Sequence, residues 1–587
     1  MDQGFTQQDR PQRLAAKPLK ALGLLSALLL AVLVLAGCAS SSASSSSGGG
    51  FQGVTPATAD QSLGAQQPSA GKPKPGGTLN VAWVQEPECI DAQQDWVQNG
   101  YLYSQYYEQL VSAAPNNKVV PWLANSWKVS NGGKTYTFQL KKNVKFTDGT
   151  PFNAQAVVTN FKDWLNPKNT ADYNGYVAVY IADVFKSAVA TGPYTVQVNL
   201  TKPDVFFLDG LSQYAFGIAS PKQLSQPAGV QCDHPVGTGA FKVDKWNHGQ
   251  DIVLSRNKNW NSAPANERHK GPAYLNKIDW RFVSDNNTRW GAFTSGQSQL
   301  LYDIPAVDWK QATSRYQVLR HTTGANPLRF FVAAKWGPLK DVRVRQAVQY
   351  AFNDNLAVQT AYRGERIPNK NGSLSPSSPG YDNAVNNYYN YDPAKAEKLL
   401  SAAGWSHRNA QGYRTKNGKV LSLRLVYSAD VVADSDDLLL FQILQQELQK
   451  VGIKVTLIPT PPSQGWAAPQ DQPGQWDLNI GYWVGRSAEG FHTLWSPKLA
   501  GQPNPNNLTG YFDPVVTKLI NELDQTPAGP KQTELAHKIQ VQLVEKDAVV
   551  LGVSGMQVTL AAGPKLHGLW QSPDVGEPVL SDAWLSK

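Results

Sequence analysis

The chain has 587 residues, a formal net charge of +9 from 54 Lys and Arg against 45 Asp and Glu, and 10% aromatic side chains. Its bases are scattered, with no run of five or more, so nothing resembles a nucleic-acid-binding face. The length allows several domains at about 100–200 residues each, and the aromatic content supports a large core.

The chain opens with a basic stretch carrying Arg10, Arg13, Lys17 and Lys20, followed by an uncharged apolar run from Ala21 to Gly37. A basic start, an apolar middle and small residues at the end predict a secretory signal over residues 1–37. The run is short against the roughly 20 apolar residues of a membrane span, although borderline length leaves an uncleaved anchor open. The stretch "LAGC", Leu35 to Cys38, resembles the bacterial lipobox. That resemblance implies cleavage before Cys38 and lipidation of its sulfur. The mature chain is then expected on the outer face of the bacterial cytoplasmic membrane, held there because two or more acyl chains anchor far better than one. Removing residues 1–37 takes away four bases and two acids and leaves +7. Residues 38–75 are rich in Ser, Gly, Ala, Gln and Pro and cannot bury enough surface to offset chain entropy. They read as a flexible tether with a reach of roughly 30 Å.

Beyond the tether, "TLNVAWV" alternates and predicts a strand, and Tyr101 to Val111 has helical spacing. "SNGGK" joins two β-rich runs as a hairpin turn, and "DGT" makes a second turn. Asn153 sits where an N-cap belongs, Val157, Val158, Phe161, Trp164 and Leu165 share a helical face, and Pro167 closes that helix. "AVATGPYTVQVNLTKP" predicts another hairpin, "HPVGTGAFKVDKW" a turn entering a strand, and "DVRVRQAVQYAFN" a helix. In "YDPAKAEKLLSAAGW" Asp392 caps, Pro393 takes the first helical position and Gly404 stops the helix. "LLLFQILQQELQKVGIKVTLI" reads as an amphipathic helix, a stop at Gly452 and a strand. Alternating strands and helices place the body in the α/β class. Once Cys38 is set aside, Cys89 and Cys232 remain. An even pair in an oxidising compartment suggests a bridge, with two buried free thiols as the alternative.

Common enzyme signals are missing. No two of the eight His are three or four residues apart, and neither Cys-x-x-Cys nor Gly-x-Ser-x-Gly occurs. "GGKT" at 132–135 lacks the first glycine of a phosphate loop, and "GTG" at 237–239 lacks the third glycine of a dinucleotide fingerprint. No metal, cofactor or catalytic residue is expected.

Five stretches in order resemble the family 5 solute-binding proteins of ABC importers, the dipeptide and oligopeptide type. They are Pro121 to Val158, "PVGTGAFKVDKW", "DVRVRQAVQYAF", "YDPAKAEKLLSAAGW" and "LQKVGIKVTLI". The resemblance implies a two-lobed type II periplasmic-binding fold with an extra subdomain in lobe one. It places lobe one at 76–110, 235–325 and 555–587, the subdomain at 111–234 and lobe two at 326–554. It also implies a monomeric, non-enzymatic receptor that captures peptides by hinge closure and serves a permease and an ATPase. Alternatives are an oligosaccharide or anionic ligand in the same fold, or a surface sensor without transport. By that resemblance "DWVQNGYLY" lines the cleft with Trp96, Asn99 and Tyr101, while Tyr106, Tyr107 and Leu110 read as core. "GYWVGRSAEGF" resembles the Trp-rich strand whose aspartate pairs with a peptide ammonium. Tyr482 and Trp483 fall on that strand, and Arg486 stands at the aspartate's place. A guanidinium there favours a carboxylate or phosphate; either Glu489 takes over, the ligand is not an ordinary peptide, or Arg486 is a solvated rim residue.

Overall fold

The alternating stretch "TLNVAW" becomes strand Thr78–Trp83, in the interior of a seven-stranded mixed sheet. Across that sheet the order is Gln317–Thr322, Gln557–Ala562, Leu300–Tyr302, Thr78–Trp83, Lys277–Phe282, Asp251–Arg256 and Phe241–Asn247. A second sheet of five strands runs Lys454–Thr460, Ser422–Ser428, Leu478–Trp483, Asn326–Val332 and Val550–Ser554. This computed structural model describes residues 67, 71–94, 99–114, 118–166, 180–322, 326–428, 435–460, 474–483, 486–499, 501–504, 506–555, 557–573 and 576–587. All of them lie in the unit Val54–Lys587. The apolar run 21–37, Cys38, Trp96 and Pro167 lie outside the described residues; among those described, no helix is long and apolar enough to cross a membrane.

The chain passes between the two sheets twice, from Thr322 to Asn326 and back from Ser554 to Gln557. Each sheet has a parallel core: Thr78–Trp83 beside Lys277–Phe282 and Leu300–Tyr302 in one, Ser422–Ser428 beside Lys454–Thr460 and Leu478–Trp483 in the other. Open α/β sheets take ligands outside the carboxyl ends of such strands. Those ends carry Trp83, Tyr302, Tyr482 and Trp483.

A separate four-stranded antiparallel sheet, Ala124–Ser130, Thr135–Leu140, Thr195–Leu200 and Phe185–Gly192, packs with helix Ala154–Trp164 around its own apolar core. Its turns follow from residue chemistry. Asn131, Gly132 and Gly133 all take positive φ in the first hairpin. Asp148 accepts from the Thr150 amide at 2.9 Å around Gly149, and Asn153 caps its helix by accepting from the Ala156 amide at 3.0 Å.

The helix expected over Tyr101–Val111 is shorter, Gly100–Tyr106. The reason is Glu108, whose buried carboxylate accepts from Trp122 Nε1 at 3.0 Å, Trp260 Nε1 at 2.8 Å, Thr238 Oγ1 at 2.6 Å and Ser262 Oγ at 2.5 Å. Meeting four donors from other segments outweighs one more helical turn, and Tyr107 leaves the helix in extended conformation. Gly237 and Gly239 pass so close to this bend that a Cβ at Gly237 would sit 2.0 Å from the Tyr106 carbonyl oxygen. The "GTG" stretch thus serves a close backbone approach. Gln67 also departs from expectation: within the predicted tether, it is buried, and its amide donates to the Leu569 carbonyl at 2.9 Å. The C-terminal "LWQSPDVGEPVLSDAWL" returns to the first sheet, where Gln571 Nε2 donates to the Val558 carbonyl at 3.0 Å.

Candidate functional site

Three aromatic rings stack at the carboxyl end of the first parallel core. Trp83 lies 3.7 Å from Tyr101 and 3.9 Å from Tyr302, ring centre to ring centre. Trp280 meets Trp83 edge-on at 5.0 Å. Tyr101 comes from helix Gly100–Tyr106 and also donates to the Gln85 carbonyl at 3.4 Å. From the second sheet, the end of strand Leu478–Trp483 contributes half-buried Tyr482 and buried Trp483.

The two sides share one electrostatic environment. Burial, then the charges of Glu577 and Asp303, push the Tyr302 hydroxyl well above its ordinary range, and Tyr482 and Tyr101 add to the effect. Burial and Glu577 push Tyr482 up to about 12, against the pull of Arg366. Both phenols are therefore neutral donors at physiological pH. Arg366 lies 4.2 Å above the Tyr362 ring and bonds Glu365 at 3.2 Å and Asp437 at 3.4 Å. Tyr362 donates to the same Asp437 carboxylate. From the first-sheet side, the Ala306 amide donates to Asp436 Oδ2 of helix Ser435–Lys450 at 3.3 Å.

Arg486 faces a different neighbour. It is 2% exposed, and its Nη2 lies 2.7 Å from Asp209 Oδ1 and 3.1 Å from Ser212 Oγ. Burial pushes Glu489 up to about 8, although its carboxyl accepts from Thr493 Oγ1 at 2.9 Å. His492 bridges Asp524 at 2.7 Å and Asp183 at 3.0 Å. Burial works against its protonation, but the two carboxylates carry it up to about 10. Among the described residues, no three His, Cys, Asp or Glu side chains are grouped to hold a metal ion.

The family model of bacterial extracellular solute-binding proteins, family 5, middle region, matches residues 118–503. The chain belongs to family 5 of the bacterial extracellular solute-binding proteins. It is 27% identical over 495 residues to the nickel-binding periplasmic protein of Escherichia coli, covering 81% of this chain and 88% of that one. It is 28% identical over 482 residues to the glutathione-binding protein GsiB of Salmonella choleraesuis, covering 80% and 87%. Its fold is similar to the oligopeptide-binding protein AppA of Bacillus subtilis, solved with a nonapeptide, at TM-score 0.74, 22% identity and coverage of 88% and 100%. The two-lobed type II fold and the α/β class expected from sequence are thus present. This solute-binding protein of an ABC importer is, like its relatives, a binder and not an enzyme.

Within the binding protein, Tyr101 stacks on Trp83 at the end of the first parallel core, and Tyr482 and Trp483 end a strand of the second. Asn99 precedes the Tyr101 helix at its cap position, with no capping bond from its side chain. Arg486 is neither a solvated rim residue nor a bare charge, because Asp209 neutralises it. Tyr106, Tyr107 and Leu110 are buried in the core. Cys89 and Cys232 lie with Cα atoms 5.0 Å apart, within the span of about 4.4–6.8 Å that bridged pairs adopt. Trp83 and Tyr302, which stack on each other, and Asp209, the partner of Arg486, were missed in the sequence. Trp83 had a signal as the last large residue of a predicted strand; the others come together only through distant segments.

Proposed function

We propose that this binding protein captures di- and oligopeptides between two lobes that close about the paired crossings at 322–326 and 554–557, and hands them to a permease and ATPase. Its signal peptide would occupy residues 1–37, with lipid on Cys38 and a tether through 75, less the docked Gln67. Lobe one would comprise 76–110, 235–325 and 555–587, the subdomain 111–234, and lobe two 326–554. The observation that carries this reading is the pair of aromatic strand ends, Trp83–Tyr302 and Tyr482–Trp483, at the carboxyl ends of two parallel cores joined by two crossings. Rings and hydroxyls there suit a ligand with an extended backbone and varied side chains. Relatives named for glutathione and solved with a nonapeptide lend support. A ligand that touches both lobes favours the closed form by its differential affinity.

The test is mass spectrometry of ligand released from the purified, denatured protein, followed by melting with di- to pentapeptides. Peptide masses are expected, together with stabilisation of about 2.7 kcal/mol at a ligand concentration one hundred times Kd. Release of a sugar or a nickel chelate, with no peptide-induced shift, contradicts the peptide reading.

A further inference from the structure

Glu577 has no obvious structural partner. It is 2% exposed, and its Oε2 accepts no hydrogen bond. Its backbone is firmly placed: its carbonyl accepts from the Ser572 amide at 2.8 Å, and Gln105 Nε2 donates to the neighbouring Pro578 carbonyl at 2.9 Å. Gly576 has φ +77, and a Cβ there would lie 2.8 Å from the His321 Cβ and 2.9 Å from the Val558 Cβ. Glu577 therefore sits beside the two strands that run on into the second sheet, at the root of both crossings. Tyr302 and Tyr482, from opposite lobes, both feel its charge. Burial alone pushes its carboxyl well above the ordinary range, with no cation opposing the shift.

A buried carboxyl whose charge reaches two tyrosines, without a cation of its own, is expensive to the empty protein. The same arrangement attracts a ligand cation, which gains both the carboxylate and the ring faces. Arg366, whose charge reaches Tyr482, is already committed to Glu365 and Asp437. We propose that Glu577, with Tyr302 and Tyr482, is the specificity-determining group for a ligand ammonium, doing from the C-terminal segment what the residue at position 486 does not. This rests on the proposed cleft and deepens it by naming the ligand's charge.

The experiment compares wild type with Glu577→Gln and Glu577→Asp, using trialanine, N-acetyl-trialanine and putrescine as probes in calorimetry and melting. Wild type is expected to bind trialanine at least tenfold more tightly than its acetylated form. Glu577→Gln should lose at least tenfold in trialanine affinity while its empty form melts at or above the wild-type temperature, and Glu577→Asp should keep part of the binding. That melting result separates a ligand-directed carboxyl from a structural one, whose loss would lower the empty protein's melting temperature. Equal affinity of Glu577→Gln and wild type for trialanine, or of wild type for the free and acetylated peptides, overturns the proposal and leaves the peptide reading standing. Binding of putrescine alone, weakened by Glu577→Gln, supports the proposal while contradicting the peptide reading. Binding of neither amine overturns it.

Discussion

Arg486 shows how a single residue changes meaning once its partner is known. In sequence it reads as a reversed charge in a ligand site; in the fold it is buried against Asp209, 277 positions away. Removing one member of a buried ion pair strands the other and costs about 3–5 kcal/mol. Asp209 is partly exposed, so Asp209→Ala should fall at the lower end and Arg486→Asp at the upper. The double exchange Asp209→Arg with Arg486→Asp should recover part of the loss. Urea midpoints measure this. An Arg486→Asp variant of wild-type stability with an altered ligand charge preference would instead place Arg486 in the ligand site. No local pattern announces Asp209, so that half of the pair was not legible in advance.

At the scale of elements, helix Gly490–Trp495 and helix Pro514–Leu523 with its C-cap Asp524 meet the segment before strand Phe185–Gly192 through His492, Asp524 and Asp183. The Val205 amide adds a bond to the Asp524 carbonyl at 2.9 Å. His492 is raised from 6.5 to about 10, so its stabilisation is complete below about pH 6.5 and is lost as pH rises through 10. Asp204, pushed up to about 7 by burial, and Glu489, pushed up to about 8, act in the same direction. Each holds a proton in the folded state that the unfolded chain has released, so stability falls from the ordinary carboxylate range up to those values. Urea midpoints should therefore decline from pH 6.5 to 10, and His492→Asn should flatten that decline. A wild-type slope retained in the variant would mean that other groups set it. Elements themselves were largely readable, because caps such as Asn153 and Asp392 and stops such as Gly404 and Gly452 act on near neighbours. The bend after Tyr106 was not, because Glu108 finds its donors at positions 122, 238, 260 and 262.

At the scale of the whole molecule, the chain joins its two sheets by two connections, and the proposed closure would turn one on the other there. The fold was legible because five family-like stretches keep their order. Of the proposed cleft, Tyr101, Tyr482 and Trp483 were legible in the sequence, while Tyr302 and Glu577 enter the proposal only through topology. The central claim is that ligand draws the two lobes together. Small-angle scattering of the mature chain, stripped of ligand and then given back the ligand it released, tests this most directly. A smaller radius of gyration with ligand, and ligand recovered intact, is the predicted result; unchanged dimensions at saturation would contradict it.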